Sequence, residues 1–209
     1  MPPICERFVL EEATKMKVIL TAVPGAGKST IIRKIRELRE NIRTVNFGDI
    51  MFDIAKTNYG IPDRDQMRNR LSAEDNSLVQ SLAAKKISEM EGDIIVDTHC
   101  SILTPKGYYP GLPEDVLKKL EPQVIVLLEY DPEDIAVRRG KDKESSERSG
   151  REAETGEAIE IQQQMNRSFA AAYATLALSS VRIINLREKE RYAFEHAEVA
   201  SRMIIELFK

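Results

Sequence analysis

The chain has two cysteines, Cys5 and Cys100, too few and too far apart in sequence for a disulfide framework. It has no apolar run long enough to span a bilayer and no signal-peptide pattern. An excess of charge is missing too, since 31 Lys and Arg against 34 Asp and Glu leave a formal net charge of −3. Without a global basic field, a nucleic-acid polymer is a poor partner, although local basic residues can still hold a small polyphosphate. Internal repeats and true low-complexity tracts are absent as well. These absences lead to the expectation of a cytoplasmic protein that engages neither membrane nor nucleic acid. What is there is 209 residues, 42% hydrophobic and 31% charged, enough for one soluble domain with a full core.

The richest stretch is Ala22-Val-Pro-Gly-Ala-Gly-Lys-Ser29, which fits a phosphate-binding loop everywhere except at Ala22, where the pattern has glycine. Gly25 and Gly27 let the backbone turn its N–H groups inward toward phosphate oxygens. Lys28 brings a fixed positive charge to the β- and γ-phosphates, and Ser29 offers a hydroxyl to Mg²⁺. Lys17-Val-Ile-Leu-Thr21 reads as a buried strand and Ser29 to Glu40 as a helix, so a helix N-terminus faces the phosphates. The expected ATP contacts are therefore Ala22, Val23, Pro24, Gly25, Ala26, Gly27, Lys28, Ser29 and Thr30.

Short Val- and Ile-rich runs alternate with helical periodicity along the rest of the chain. Candidate strands are Lys17–Thr21, Arg43–Asn46, Asp93–Asp97, Gln123–Glu129 and Val181–Asn185. Each is followed by a helix-like segment, which predicts a five-stranded parallel sheet covered on both faces: an α/β phosphate-loop NTPase fold of three layers, α/β/α, with a mobile lid. Ile31, Ile32, Ile35 and Leu38 mark the inner face of the first helix, and Ala197, Ala200, Ile204 and Leu207 that of the last. Ile161, Met165, Phe169, Ala172 and Leu176 recur at roughly helical spacing within Ala158–Leu178 and read as core or subunit interface. Residues 1–15 precede the first strand and read as a loosely held extension, with Met16 the alternative start.

Gly140 to Glu152 breaks the pattern, with charges, Ser and Gly but no apolar residue. It reads either as a surface loop or as a lid, because catalytic closures need exposed, hinged segments that carry arginines. Ile94-Ile-Val-Asp97 ends a strand with an acid, where a carboxylate can hold Mg²⁺ through water; capping of the next turn is the competing role for Asp97. Asn46-Phe-Gly-Asp49 closes the second strand with an Asp suited to cap the next helix. Arg64 and Arg68 follow, four apart on one helical face, and an Arg fork at Arg68 suits an acceptor phosphate, while Arg64 reads as a solvated salt bridge with Asp63 and Asp65. Thr104 to Pro113 is dense in turn residues and reads as a rigid loop walling a second site. Arg138 and Arg139, then Arg148 and Arg151, and finally Arg167 frame the polar segment and can neutralise a moving phosphoryl group.

From about residue 16 onward these pieces together resemble the archaeal-type adenylate kinases, a branch of the nucleoside monophosphate kinases. The matching runs are Pro24 to Thr30, Asn46 to Asp49, Asp63 to Arg68, Asp97-Thr98-His99, Thr104 to Tyr108 with Pro110 to Pro113, and Asn166-Arg167. The resemblance implies the reversible transfer ATP + AMP = 2 ADP with Mg²⁺, commonly in a homotrimer. It also implies an AMP region over about 46–90, with contacts from Gly48, Asp49, Arg68, Thr98, His99, Gly107 and Tyr108, and an ATP lid over about 140–153. Lys28, Arg138, Arg148, Arg151 and Arg167 are then the catalytic set. The chain departs from the family's pattern at Ala22, at Leu103 (a basic residue is expected before Thr-Pro) and at Phe52, where wider relatives carry an arginine, which leaves the AMP phosphate to Arg68. Arg148 and Arg151 are three apart rather than in a tight Arg-x-Arg, and a lid without cysteine excludes a zinc-bearing one. The rival readings are a kinase of another small acceptor and a nucleotide-dependent switch or assembly ATPase.

Overall fold

The computed structural model describes residues 16–145 and 155–209, leaving aside the side chains of Arg68 and of residues 141–145. Five strands form one parallel sheet: β1 (Lys17–Thr21), β2 (Arg43–Asn46), β3 (Ile94–Thr98), β6 (Val124–Tyr130) and β7 (Ser180–Leu186). Their order is β2-β3-β1-β6-β7, so the chain winds to one side of β1 for its first half and to the other for its second. In open α/β sheets that reversal leaves a crevice beyond the carboxyl ends of the central strands, where ligands bind.

Both faces of the sheet are covered, which is why its strands are apolar almost without alternation. Val18, Leu20, Ile95, Val126, Leu128 and Ile184 pack against α1 (Lys28–Leu38) and α8 (Glu195–Ile205). Ile19, Ile94, Val96, Ile125 and Leu127 face the opposite way. They meet α2 (Phe47–Tyr59), α4 (Ala73–Ser88) and α5 (Glu114–Leu120). The expected three layers and five parallel strands are all present. A 3-10 turn (Arg64–Gln66) and the single turn α3 (Met67–Arg70) link α2 to α4, so Arg64 and Arg68 do not share one helix as expected.

Local chemistry sets the helix ends. The Asn46 side chain caps α2 by accepting from Asp49 N at 3.1 Å, so the cap is Asn46 rather than the expected Asp49. Ser72 caps α4 and Thr155 caps α7 (Gly156–Ala177) in the same way. α6 (Pro132–Ser145) runs through residues 140–145, which corrects the reading of a non-helical segment beginning at Gly140. The remainder of the expected lid and the extension 1–15 lie outside the described residues.

Two further corrections come from packing. The expected loop at 104–113 supplies the turn and second strand of an antiparallel hairpin, β4 (Ser101–Thr104) and β5 (Gly107–Pro110). The hydroxyl of Thr104 closes its turn by donating to Gly107 O at 2.7 Å. α7 buries Ile159, Gln162, Gln163, Asn166, Ala170 and Tyr173; of the stripe read as core or subunit interface, Phe169 packs against the core, whereas Ile161, Ala172 and Leu176 are exposed, which corrects the core alternative for these three. The reason is that α7 crosses the carboxyl end of β6 and serves exposed backbone there. Gln163 accepts from Tyr130 N at 3.0 Å and donates to Tyr130 O at 3.1 Å. Further along α7, the Ser101 hydroxyl donates to Asn166 Oδ1 at 2.6 Å, and the Tyr173 hydroxyl donates to Cys100 O at 2.7 Å. Burial pushes the Cys100 thiol up to about 11, so it stays protonated and acts as a small core group.

After the hairpin the chain returns against its own backbone, where Gly111 N donates to Cys100 O at 2.8 Å. A Cβ at Gly111 would lie 2.0 Å from His99 O, and neither partner there is a flexible side chain. Gly111→Ala is therefore expected to destabilise the fold by about 2–3 kcal/mol in urea unfolding, and an unchanged midpoint would show that this backbone contact is soft.

Candidate active site

The phosphate loop leaves β1 at Thr21, with Ala22 and Val23 buried beneath it. Gly25 and Gly27 have φ of 79° and 86°, a left-handed backbone that only glycine adopts without strain, and Gly27 is the residue from which α1 springs. Ala22 is buried in the core and does not have the positive φ that would require glycine, so the departure at the loop's first position costs the loop no conformation. Ser29 is exposed in the first turn of α1, with its hydroxyl free of hydrogen bonds among the described residues.

Lys28 turns inward. Its Nζ donates to the carbonyl of Thr98 at the end of β3 and stands 2.8 Å from Asp97 Oδ1. Burial pulls the Lys28 pKa down, and the Asp97 carboxylate opposes that pull. Asn46 donates to Asp97 Oδ2 at 2.8 Å, whereas Oδ1 is buried and accepts no aligned hydrogen bond among the described residues. One carboxylate thus ties the loop lysine to the ends of β2 and β3, with one oxygen still able to accept.

Arginines from α6 cover the loop from outside. Arg139 Nε donates to Pro24 O at 2.8 Å, and its side chain lies where a Cβ on Gly25 would stand. Arg138 stacks on the Tyr130 ring with 4.9 Å to the centroid and donates to Ala26 O at 3.4 Å. Arg167 makes a two-pronged pair with Glu129, a buried carboxylate that Arg187 approaches to 3.6 Å. Arg187 in turn clasps Glu160 through bonds of 2.8 and 3.0 Å.

A cavity of about 550 Å³ opens beside Asp97. Its walls include Asn46, Phe47, Gly48 and Met51 from the start of α2, Arg64 and Met67, Asn76 and Gln80 from α4, and Thr98, His99, Ile102 and Tyr109 from β3 and the hairpin. Of the residues expected at a second substrate, Gly48, Thr98 and His99 line this space. Asp49 instead pairs with Arg64, which also reaches Asn46 Oδ1 at 3.2 Å, so the Arg64 partner is Asp49 rather than Asp63 or Asp65. Tyr108 is not among the cavity walls, because strand alternation turns Tyr109 to the cavity instead; Gly107 shares the Tyr109 face but is not a wall either. The Arg68 side chain, Arg148 and Arg151 lie outside the described residues. Sequence reading missed Met51, Gln80 and Glu129, and it held Asn46 and Tyr109 only as members of candidate segments, with no contact assigned to either. Only Asn76 and Gln80, two carboxamides four apart on one helix, left a trace that could have been followed.

Comparison with known proteins agrees with this geometry. A family model described as AAA domain matches residues 21–160. The adenylate kinase of Pyrobaculum aerophilum is 45% identical over 193 residues, covering 92% of this chain and 96% of the relative. The adenylate kinase of Methanopyrus kandleri is 44% identical and covers 80% and 87%. Among solved structures, shikimate kinase from Bacteroides thetaiotaomicron superposes with a TM-score of 0.56 at 16% identity over 91% of this chain and 98% of its own, a likeness of fold.

The Lys28–Asp97 pair makes a prediction about stability. Asp97→Ala leaves a buried ammonium without its carboxylate and is expected to cost about 3 kcal/mol in denaturant unfolding. Lys28→Met leaves the Asp97 carboxylate without its ammonium, but Asn46 still donates to it, so this change should cost less. The reverse ranking would mean that Asp97 does not compensate Lys28.

Proposed function

The chain belongs to the adenylate kinase family, and we propose that its phosphate loop and the adjoining cavity are the ATP and AMP sites of one phosphotransferase. The reaction is ATP + AMP = 2 ADP. The observation that carries the two-site reading is the 2.8 Å approach of Lys28, a residue of the loop, to Asp97, a wall of the cavity. Donor and acceptor phosphates are thereby brought to the same point, which is what in-line transfer needs.

ATP lays its β- and γ-phosphates over residues 22–30, held by the backbone N–H groups, the N-terminus of α1 and Lys28. Ser29 and Asp97 would hold Mg²⁺, the latter through water; the exposed Ser29 hydroxyl suits that role, as does Asp97 Oδ1, which Lys28 approaches but which accepts no aligned hydrogen bond among the described residues. Bound there, Mg²⁺ supplies charge neutralisation on the phosphate oxygens. AMP enters the cavity between α2–α4 and the hairpin, with Gly48, Thr98 and His99 along its length and Arg68 on its phosphate.

The protein does little covalent chemistry here; it positions the two substrates and neutralises charge. Arg138 is already at the loop, on Ala26 O, and needs only to exchange a weak carbonyl contact for a phosphate oxygen. Arg167 is half-exposed and paired with Glu129, ready to share its guanidinium with the substrate. Arg148 and Arg151 complete the set from the lid, whose closure excludes water and suppresses hydrolysis of ATP. The same reading places the reaction in the cytoplasm, in keeping with the absence, among the described residues, of a helix long and apolar enough to cross a membrane.

We further propose a homo-oligomer, a trimer on the family's pattern. β7 is an edge strand, and Val181 and Ile183 on it are exposed, as is Leu178 just before it. A long apolar edge left bare invites pairing with another chain. Val181→Glu with Ile183→Glu is expected to reduce the mass in light scattering to that of a monomer; an unchanged mass removes this edge from the interface.

A coupled assay tests the reaction itself. ADP should form from ATP and Mg²⁺ only when AMP is added, and Lys28→Met should lower the rate by about 10³-fold or more. AMP-independent hydrolysis at a similar rate would instead indicate an ATPase.

A further inference from the structure

We propose that Arg187 takes over the Glu129 carboxylate when Arg167 turns from it to the moving phosphoryl group, so that Glu129 and Arg187 act together as positioning residues for the transfer. The inference rests on the reading of Arg167 as a residue that neutralises charge on that group, and it says what lets Arg167 leave its partner.

Four side chains of alternating charge stand in a row where α7 crosses the carboxyl ends of β6 and β7. Glu160 and Arg167 come from α7, about two turns apart; Glu129 comes from β6, and Arg187 directly follows β7. The parallel pairing of β6 with β7 sets Glu129 opposite Asn185, which carries the chain to Arg187 beside that carboxylate. Arg187 donates to the two oxygens of Glu160 at 2.8 and 3.0 Å, and its Nη2 stands 3.6 Å from Glu129 Oε2. From the other side, the Arg167 fork engages both oxygens of Glu129.

Exposure differs sharply along this row. The Glu129 side chain is 3% exposed, whereas that of Arg167 is 51% exposed. Arg167 can therefore exchange its carboxylate for a phosphate oxygen at the surface, but Glu129 cannot exchange its arginine for water. A buried carboxylate stripped of its counter-ion is strongly unfavourable. Were Arg167 its one cation, every turnover would add that penalty to the barrier.

Arg187 removes the penalty. At 3.6 Å it is outside hydrogen-bond range of Glu129, so a small shift of a guanidinium already in place completes the contact. A guanidinium carries more N–H donors than Glu160 uses, so Arg187 can reach Glu129 without releasing Glu160 altogether. Glu160 has a further partner as well, since Gln163 donates to its Oε2 at 3.1 Å. Gln163 is in turn fixed on both backbone groups of Tyr130, the residue next to Glu129. The row thus has a rigid end at Glu160 and a free end at Arg167. A purely structural cluster has no need of that asymmetry.

A double-mutant cycle read in kcat tests the hand-over. Arg187→Met leaves Arg167 as the remaining cation at Glu129 and should lower kcat by about 10–100-fold, the size of a coupling within one ion-pair network. KM for ATP and for AMP should stay within about threefold, because neither substrate touches Arg187. In Glu129→Gln no charge is left to abandon, so adding Arg187→Met there should change kcat by no more than about twofold. The hand-over is overturned if Arg187→Met keeps the wild-type kcat, if it raises KM instead, or if it costs as much with Glu129→Gln as without it. A wild-type measurement covers the case of a variant that does not fold. The Arg187 Nε–H resonance should move when a dinucleotide spanning both sites binds, and an unmoved signal also overturns the hand-over. Arg167→Met separates this inference from the reading beneath it, with an expected loss of about 10²–10³-fold in kcat. An unchanged rate in Arg167→Met would remove Arg167 from the reaction, whereas a slow Arg167→Met beside an additive Arg187→Met would remove the hand-over alone.

Discussion

Lys28 leaves the phosphate loop, passes under it and ends against the carboxyl tip of β3, where the Thr98 carbonyl accepts its hydrogen bond and Asp97 balances its charge. Every other part of the site is referred to this contact. It fixes the loop against the strand next to β1, draws Asn46 and hence the start of α2 toward the same carboxylate, and defines where the cavity begins. Burial alone works against an ammonium there, so the position is held only because the carboxylate stands opposite. The arrangement is held under electrostatic tension, and it is relieved by more charge of either sign arriving in the right place: phosphate at the lysine, cation at the carboxylate.

Helix α7 is the second organiser, and it acts through polar side chains. Its inner face carries Gln162, Gln163, Asn166 and Arg167, which answer the α6 arginine, the end of β6, the start of β4 and the Glu129 carboxylate in turn. A helix crossing the end of a parallel sheet meets carbonyls and N–H groups that no further strand satisfies, and carboxamides can serve both kinds. Apolar residues such as Ile161 and Leu176 are consequently left on the outer face, while Ile159, Ala170 and Tyr173 share the inner one with the carboxamides.

That mixed face explains what the sequence could and could not tell. Strands were legible because they are doubly buried and read as unbroken Val and Ile runs, and the phosphate loop because Gly25, Gly27 and Lys28 are demanded by backbone shape and charge. The inner face of α7 was not legible, since periodicity tracks apolar residues and here Gln162, Gln163 and Asn166 interrupt the buried face. The hairpin at β4 and β5 was hidden by its turn residues, Pro105 and Gly107, and by strands only four residues long. The acceptor cavity was legible in part. Thr98 and His99 sit at a strand end, where position predicts function, whereas Gln80 lies in mid-helix and only the fold turns it toward the cavity. Tyr108 and Tyr109 differ only by strand parity, which the sequence leaves undecided until the hairpin register is known.

The place of β1 in the sheet has a consequence for how the chain reaches this state. Among the described strands β1 is the first to be made, and it is the central one of the sheet, flanked by β3 and β6, which follow much later in the chain. Until both have been synthesised, Val18, Ile19 and Leu20 have no lateral partners, and the loop that follows them has no frame. Pairings this remote in sequence close slowly, because the intervening chain must be ordered first. A nascent chain therefore carries an unpaired apolar strand through most of its synthesis, and its phosphate loop takes shape among the last features to form.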